Sequence, residues 1–495
     1  MDDHRSRQIA APNTKLKPPR SDEATAPLSV KLRLKELRSQ IAQHGWHFNV
    51  GPTSVSGKRL RDVTGLVTPS AAYMAELVTH QNQIATEILK LEQEAIKAFE
   101  DAAVRLGLAH LPEVALRAKL PSPSAIGFDW TPLSKVSPVR YQGTCGSCWA
   151  FASVSALESS ILIRYNAGVE LSPQYVMDNA VFSSCNGGFP PEAFTSMMTL
   201  GTAKESDVPY QGKKFGPRAV FDNPYRALIW GFVGNGFTAS IEEIKLNLLL
   251  HGPLVVAMFA SDAFENYTGG TYDAFDMPNA NEIVENKGPT NHVVTLVGWD
   301  DAKQAWHIKN SWGATWGEQG FGWVRYGSNL IANGAFWIEA LNTNLQLPKV
   351  LLEWLEKAKE LARQMSEAER QAAEAADRAL TQVRNQAQKA AEQAEHAAKD
   401  AEGKAAAAAA KQKLAEAAQK QVAKAKNDAE RRAGEAAARA AQEASQQAAA
   451  AAKQARQNSD RVAHAAQDAA NAAKKALSGH APALPDPRKH LPKFP

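Results

Sequence analysis

Three side chains, far apart along the chain, are of types that together make a nucleophile, a base and an orienting group. Cys148 closes the block Gln142-Gly-Thr-Cys145-Gly-Ser-Cys148-Trp149. A thiol attacks a carbonyl as its thiolate, and a free cysteine with a pKa of about 8.5 is mostly protonated at neutral pH. Apolar residues Phe151, Val154, Leu157, Ile161 and Tyr165 recur at three- and four-residue spacing after it, predicting a helix over Ser147–Ala167 that Gly168 stops. Cys148 would then lie at a helix N-terminus, where the positive end of the dipole favours negative charge.

A base is still needed, with a group to hold it. His292 opens the apolar run Asn291-His-Val-Val-Thr-Leu-Val-Gly-Trp299, and Asn310 ends Trp306-His-Ile-Lys-Asn310, followed by Ser-Trp-Gly. Both runs read as strands, and strand ends suit groups that face a cleft. An Asn oxygen accepting from the imidazole would set its tautomer and turn the other nitrogen toward the thiolate. Gln142 could donate its amide to a developing oxyanion, together with the backbone N–H of Cys148. Alone, Cys148 could equally be a buried structural thiol; Gln142, His292 and Asn310 tip the reading to catalysis.

The block around Cys148, with His292 and Asn310 following in that order, resembles the papain family of cysteine peptidases. The similarity runs over about residues 126–345. It takes in Phe128-Asp129-Trp130, Leu171-Ser172, Cys185-Asn186-Gly187-Gly188-Phe189-Pro190, Gly252-Pro253-Leu254, Tyr267-Thr268-Gly269-Gly270 and Asn310-Ser311-Trp312-Gly313. The resemblance implies a nucleophilic Cys148, His292 as general base and then acid, Asn310 as orienter and Gln142 in the oxyanion hole. It implies that Trp312 shields the His–Asn pair and that Cys145 pairs with Cys185, leaving Cys148 free. It also places Gly187, Gly188, Phe189, Pro190 and Asn291 along the substrate. The reaction implied is endopeptidase hydrolysis of protein or peptide substrates through a thioester acyl-enzyme, since no insertion of the kind that blocks one end of the cleft in exopeptidase relatives is evident. An acyl transferase on a related scaffold, or a scaffold whose tail is the working part, are the competing readings. The chain departs from the family in two places. Asn179 stands where many relatives carry a further cysteine, and the segment before the peptidase region matches the common inhibitory prosegment at most in Gly45-Trp-His-Phe-Asn-Val-Gly51.

The elements that must position these groups follow from the pattern of the rest. Residues 1–27 are polar and Pro-rich and read as disordered. Apolar spacing predicts helices over Leu28–Gln43 and Ser70–Gly107, with a short strand at His47–Val50; residues 28–124 form an N-terminal helical extension and candidate prosegment, in which the longer helix could cap the cleft. Strands are expected at Leu254–Phe259, His292–Trp299, Ala305–Lys309, Gly322–Tyr326 and Ala335–Ile338. The fold class is therefore α+β, with the papain-like domain (125–347) in two lobes, one helical and one β-barrel-like. Beyond Pro348 the composition turns to Ala, Lys, Glu and Gln, which favours helix through residues 348–479. A continuous helix there would span roughly 190 Å; Gly403 and Gly434 are its expected weak points. Its alanine seam suits a solvated spacer, or weak self-association or an unidentified partner, rather than a tight dimer. Residues 480–495, with five prolines, read as disordered.

Composition bounds the partners. A net charge of +4 without a basic block argues against nucleic acid, and no apolar run is long enough to span a membrane. Three cysteines without histidines at ligand spacing argue against a metal site, and the chemistry above needs no cofactor. No apolar signal segment is visible near Met1, so export without an ordinary signal and a cytoplasmic setting both stand.

Overall fold

The computed structural model describes residues 16–19, 22–69, 71–106, 109–216, 218, 225–236, 238–279, 282–283, 288–341, 349–425 and 428–479. The expected disordered ends therefore lie largely outside the described residues. Part of the N-terminal stretch is ordered, however: Glu23 pairs with Arg38 at 2.7 Å. The chain divides into two compact units, one ending at Glu367 and one beginning at Ala368.

The first unit opens with α1 (Leu28–His44), stopped by Gly45 in the left-handed conformation at φ 66°. β1 (Phe48–Val50), the short α2 (Leu60–Val63) and the long α3 (Ala71–Leu106) follow, then α4 (Pro112–Arg117) and β2 (Gly127–Asp129). The central helix is α5 (Cys148–Tyr165), every residue of which up to Arg164 is buried. Apart from Glu158 and Arg164, which are ion-paired, the helix is apolar or small on all sides, as suits the inside of a domain. It packs against strands on one side and helices α6 (Pro173–Asn179) and α7 (Pro190–Thr199) on the other.

The second half of the unit is mainly sheet. β3 (Ala227–Phe232), α8 (Ile241–His251), β4 (Leu254–Met258), α9 (Asp262–Glu265), β5 (Tyr267–Tyr272), β6 (His292–Asp300), β7 (Ala305–Lys309), β8 (Phe321–Arg325) and β9 (Ala335–Ala340) follow in order. The five strands expected here appear within a residue or two of their ends. β3, β5, α8 and α9 lie outside those expectations. β5 is rich in glycine and tyrosine, and its alternation is weak. The sheet runs β1-β5-β8-β7-β6-β4-β9-β3, with β2 paired to β6, so its path is open, with β1 and β3 at its two ends. All pairings are antiparallel except β5 with β8. β6 is buried from His292 through Trp299, as expected of a strand covered on both faces.

The Ala-rich tail is helical as expected, but as two long helices rather than one. α10 (Lys349–Val422) and α11 (Asp428–Gly479) are separated by a turn through Ala423–Ala425, whereas Gly403 and Gly434 lie inside helices. Within this unit Gln419 reaches Gln442 at 3.4 Å, and Gly434 faces Val422, so the two helices run antiparallel. Ala401, Ala415, Ala438, Ala452 and Ala455 are buried along it. A glycine in a helix costs only about 1 kcal/mol relative to alanine. Folding back lets two alanine faces approach closely and bury surface that one extended helix would leave in water.

Candidate active site

Cys148 is the first residue of α5, with Ser147 at the N-cap, so the thiol stands at the dipole's positive end. Its sulfur lies beside the backbone N–H groups of Val293, Trp149 and Gly65. Cys145 and Cys185 form a disulfide, and Cys148 is the free thiol. The disulfide ties the loop before α5 to the loop carrying Gly187 and Gly188, and Gly146 N–H donates to Cys185 O at 2.8 Å.

His292 begins β6, and Asn310 follows the last residue of β7; antiparallel pairing of these strands brings the two together. His292 Nε2 donates to Asn310 Oδ1 at 2.9 Å. Asn310 Oδ1 also accepts from the backbone N–H of Ser311 at 2.8 Å, which holds the carboxamide in place. Trp312 stacks on the imidazole with ring centres 4.6 Å apart. His292 Nδ1 is buried and has no hydrogen-bond partner among the described residues. Beneath the site, Lys309 crosses from β7 to α5, donating to Ser155 Oγ and Ser137 Oγ at 2.9 Å each. That buried lysine joins sheet to helix and was not singled out in the sequence, because a lysine in a strand reads as solvent-facing.

The groove beside Cys148 is filled by the chain itself. Residues Thr64–Thr68, between α2 and α3, pass through it as a strap. Gly188 N–H donates to Gly65 O at 2.8 Å, and Val67 N–H to Gly188 O at 2.9 Å, as in a parallel bridge. From the other side, the N–H groups of Gly65 and Leu66 both donate to Asn291 O at 2.9 Å. Gly188 thus pairs with a peptide backbone, and Asn291 does so through its carbonyl; the Asn291 side chain turns away to bond both backbone groups of Ala260. Gly187, at φ 114°, packs against Val67. Phe189 and Pro190 are buried; Phe189 meets Phe336 edge-on, at 6.0 Å.

Gln142 lies in the same place but is engaged. Its Nε2 donates to Val63 O at 3.0 Å and to Cys145 O at 2.8 Å, while its Oε1 accepts from Ser311 Oγ at 2.6 Å. Trp312 Nε1 also donates to Val63 O, at 2.8 Å. One carbonyl of the strap's base therefore holds two donors that face the groove. Burial sets the electrostatics. It pushes the Cys148 thiol up to about 12, against the smaller effect of the neighbouring N–H groups. It pushes the His292 imidazole down to about 4, against the opposing hydrogen bond to Asn310. Both groups are neutral under the strap at neutral pH.

The long helix α3 does not cap the cleft. It packs along β3 at the far edge of the sheet, and the strap that precedes it fills the groove instead. The periodicity of residues 70–107 drew attention to the helix, whereas Thr64-Gly65-Leu66-Val67 has no pattern to mark it. Its only signal is Gly65.

Residues 125–338 match a family model described as papain family cysteine protease. The chain is 38% identical over 201 residues to gamete and mating-type specific protein A of Dictyostelium discoideum, covering 40% of this chain and 42% of that protein. It is 35% identical over 236 residues to the viral cathepsin of Choristoneura fumiferana nuclear polyhedrosis virus, covering 46% of this chain and 68% of the relative. Among solved structures, digestive procathepsin L 3 of Tenebrio molitor larval midgut matches with 20% identity and a TM-score of 0.45, over 63% of this chain and 89% of that one.

Proposed function

This chain belongs to the papain family of cysteine proteases, and on that footing we propose that it is a thiol-dependent endopeptidase made in a self-blocked form. The observation that carries the reading is a peptide backbone already seated in the groove, hydrogen-bonded to both backbone groups of Gly188 next to the buried Cys148. A substrate would take the place of the strap. Water entering the opened groove would relieve the desolvation that keeps Cys148 and His292 neutral, and the helix dipole and the imidazole would then favour thiolate with imidazolium.

In the reaction, the Cys148 sulfur bonds to the substrate carbonyl carbon, and the carbonyl electron pair moves onto oxygen. Gln142 Nε2, released from Val63 O, and the Cys148 N–H donate to that oxyanion. His292 gives its Nδ1 proton to the departing amine as the C–N bond breaks, leaving a thioester. It then takes a proton from water as the water oxygen bonds to the thioester carbon. The C–S bond breaks, releasing the acid product and restoring the Cys148 thiolate beside the imidazolium. Asn310 holds the ring through Nε2 throughout.

The test is direct. Processed, reduced enzyme should hydrolyse an unfolded protein and take one equivalent of an irreversible thiol inhibitor at Cys148. Cys148→Ala should do neither while keeping its fold; continued turnover by that variant would overturn the reading.

A further inference from the structure

The strap and α3 are neighbours in sequence but meet the body of the molecule in different ways, and only the strap obstructs the groove. α3 lies along β3, the last strand of the sheet, and supplies groups that this edge would otherwise lack. Gln81 Nε2 donates to Trp230 O at 2.7 Å, and Asn82 Oδ1 accepts from Phe232 N–H at 3.0 Å. Met74, Leu77, Ile84, Ala85 and Ile88 are buried in the common core.

Further along α3, Glu92 is fully buried and grips Arg164 of α5 through both oxygens, at 2.6 and 3.2 Å. Arg164 is itself buried, and its other carboxylates are Glu339 of β9 and Glu113 of α4, the latter at 3.8 Å. Arg117 of α4 donates to the Leu249 and Leu250 carbonyls at the end of α8. Departure of α3 and α4 would remove two of the three carboxylates around a guanidinium inside the central helix, and removing partners from a buried ion pair is strongly destabilising. It would also bare an edge strand and the apolar face on it. The segment ending in the strap also buries apolar side chains, Leu34, Leu37, Phe48 and Val55 among them, and Thr53 and Ser54 bond the carbonyls of Glu265 and Trp312. What sets it apart is that its Arg33–Asp262 ion pair is half exposed and that its groove and β1–β5 contacts are backbone pairings.

We propose that maturation removes the segment through the strap alone, and that α3 and α4 (residues 71–117) stay in the active enzyme as a permanent part of its body. The exposed connector Pro121–Ile126, just ahead of β2, is then not the point at which the inhibitory segment is parted from the enzyme. If it is cut, the α3–α4 piece remains bound. The proposal rests on the self-blocked peptidase reading above, and its test separates the two.

Full-length protein is incubated under reducing conditions until a thiol inhibitor labels Cys148, and the labelled species is weighed by native and denaturing mass spectrometry. The expected species has lost residues 22–68 and keeps residues 71–117, joined to the body or held after a connector cut. A labelled, active species that begins within residues 121–128 and holds no 71–117 fragment would overturn the proposal. A second arm needs no activity: folded Cys148→Ala chain is trimmed with an added broad-specificity protease. Strap peptides should leave first, with 71–117 protected; loss of 71–117 while the strap stays would refute it. Failure of the peptidase reading would appear separately, as absent labelling in the first arm, with the second still deciding what is retained.

Discussion

Gly65 and Gly146 meet backbone to backbone beside Cys148. A Cβ on Gly65 would overlap the Gly146 carbonyl, at 2.5 Å from its carbon, and one on Gly146 would run into the carbonyls of Thr64 and Cys185. The strap can lie this deep only because neither residue has a side chain, and that depth is what excludes water from Cys148.

Gly65→Ala should therefore lift the strap without touching the catalytic groups. With the thiol held at about 12, only roughly one part in 10⁵ is thiolate at pH 7 in the blocked form. Unprocessed Gly65→Ala protein is expected to alkylate at Cys148 about tenfold faster or more, equivalent to some 1.4 kcal/mol lost from strap seating. Mass spectrometry of iodoacetamide-treated, unprocessed protein reads this. An alkylation rate equal to that of the parent would mean that the strap tolerates the methyl group.

On the proposed mechanism, His292 and Asn310 should differ in weight. His292→Ala removes the proton carrier and should lower kcat by roughly 10²–10⁴-fold. Asn310→Ala leaves the imidazole in place but loosens it, and a misplaced group costs up to about 10²-fold. Steady-state kinetics on processed enzyme decide the order; a larger loss for Asn310 would contradict the orienting role.

Stability should fall as pH rises, through Glu265. This buried carboxyl is pushed up to about 8, first by burial and then by the neighbouring Asp262 charge, from an ordinary value of 4.5. Between those two values the folded state keeps a proton that the unfolded chain gives up. The folded state therefore loses ground through that window as pH rises and is fully favoured by this group only below it. In a Cys148→Ala background, Tm relative to that of the Glu265→Gln double variant should drop between pH 5 and pH 8. The buried imidazoles of His292 and His251, held low by burial, act in the opposite direction equally in both proteins. Glu265→Gln cannot ionise, so the difference between the two curves follows this carboxyl, at about 2–4 °C per kcal/mol. Parallel Tm-against-pH curves for the two proteins would remove Glu265 as the source.

The legible parts of the molecule were those with a local signature. The start of α5 could be read from three- and four-residue spacing, the β6 and β7 strands from unbroken apolar runs, and the proposed chemistry from the types of Cys148, His292, Asn310 and Gln142. The tail's helicity followed from composition, but its fold-back did not: the turn at Ala423–Ala425 carries no proline and no glycine. Nor did the engagement of Gln142, since a donor aimed at an oxyanion and a donor held by Val63 O look the same in sequence.

Residue types and order alone determined which groups could form a thiolate–imidazole pair and on which elements they ride, because helix and strand periods are local properties of the chain. Tertiary structure decided what covers that pair. Thr64–Thr68 reaches the groove, and α3 reaches β3, through contacts between residues far apart in sequence: Gly65 with Gly146 and Gly188, Glu92 with Arg164. Such contacts depend on complementary shape and on the pairing of buried charges, which no window of neighbouring residues contains.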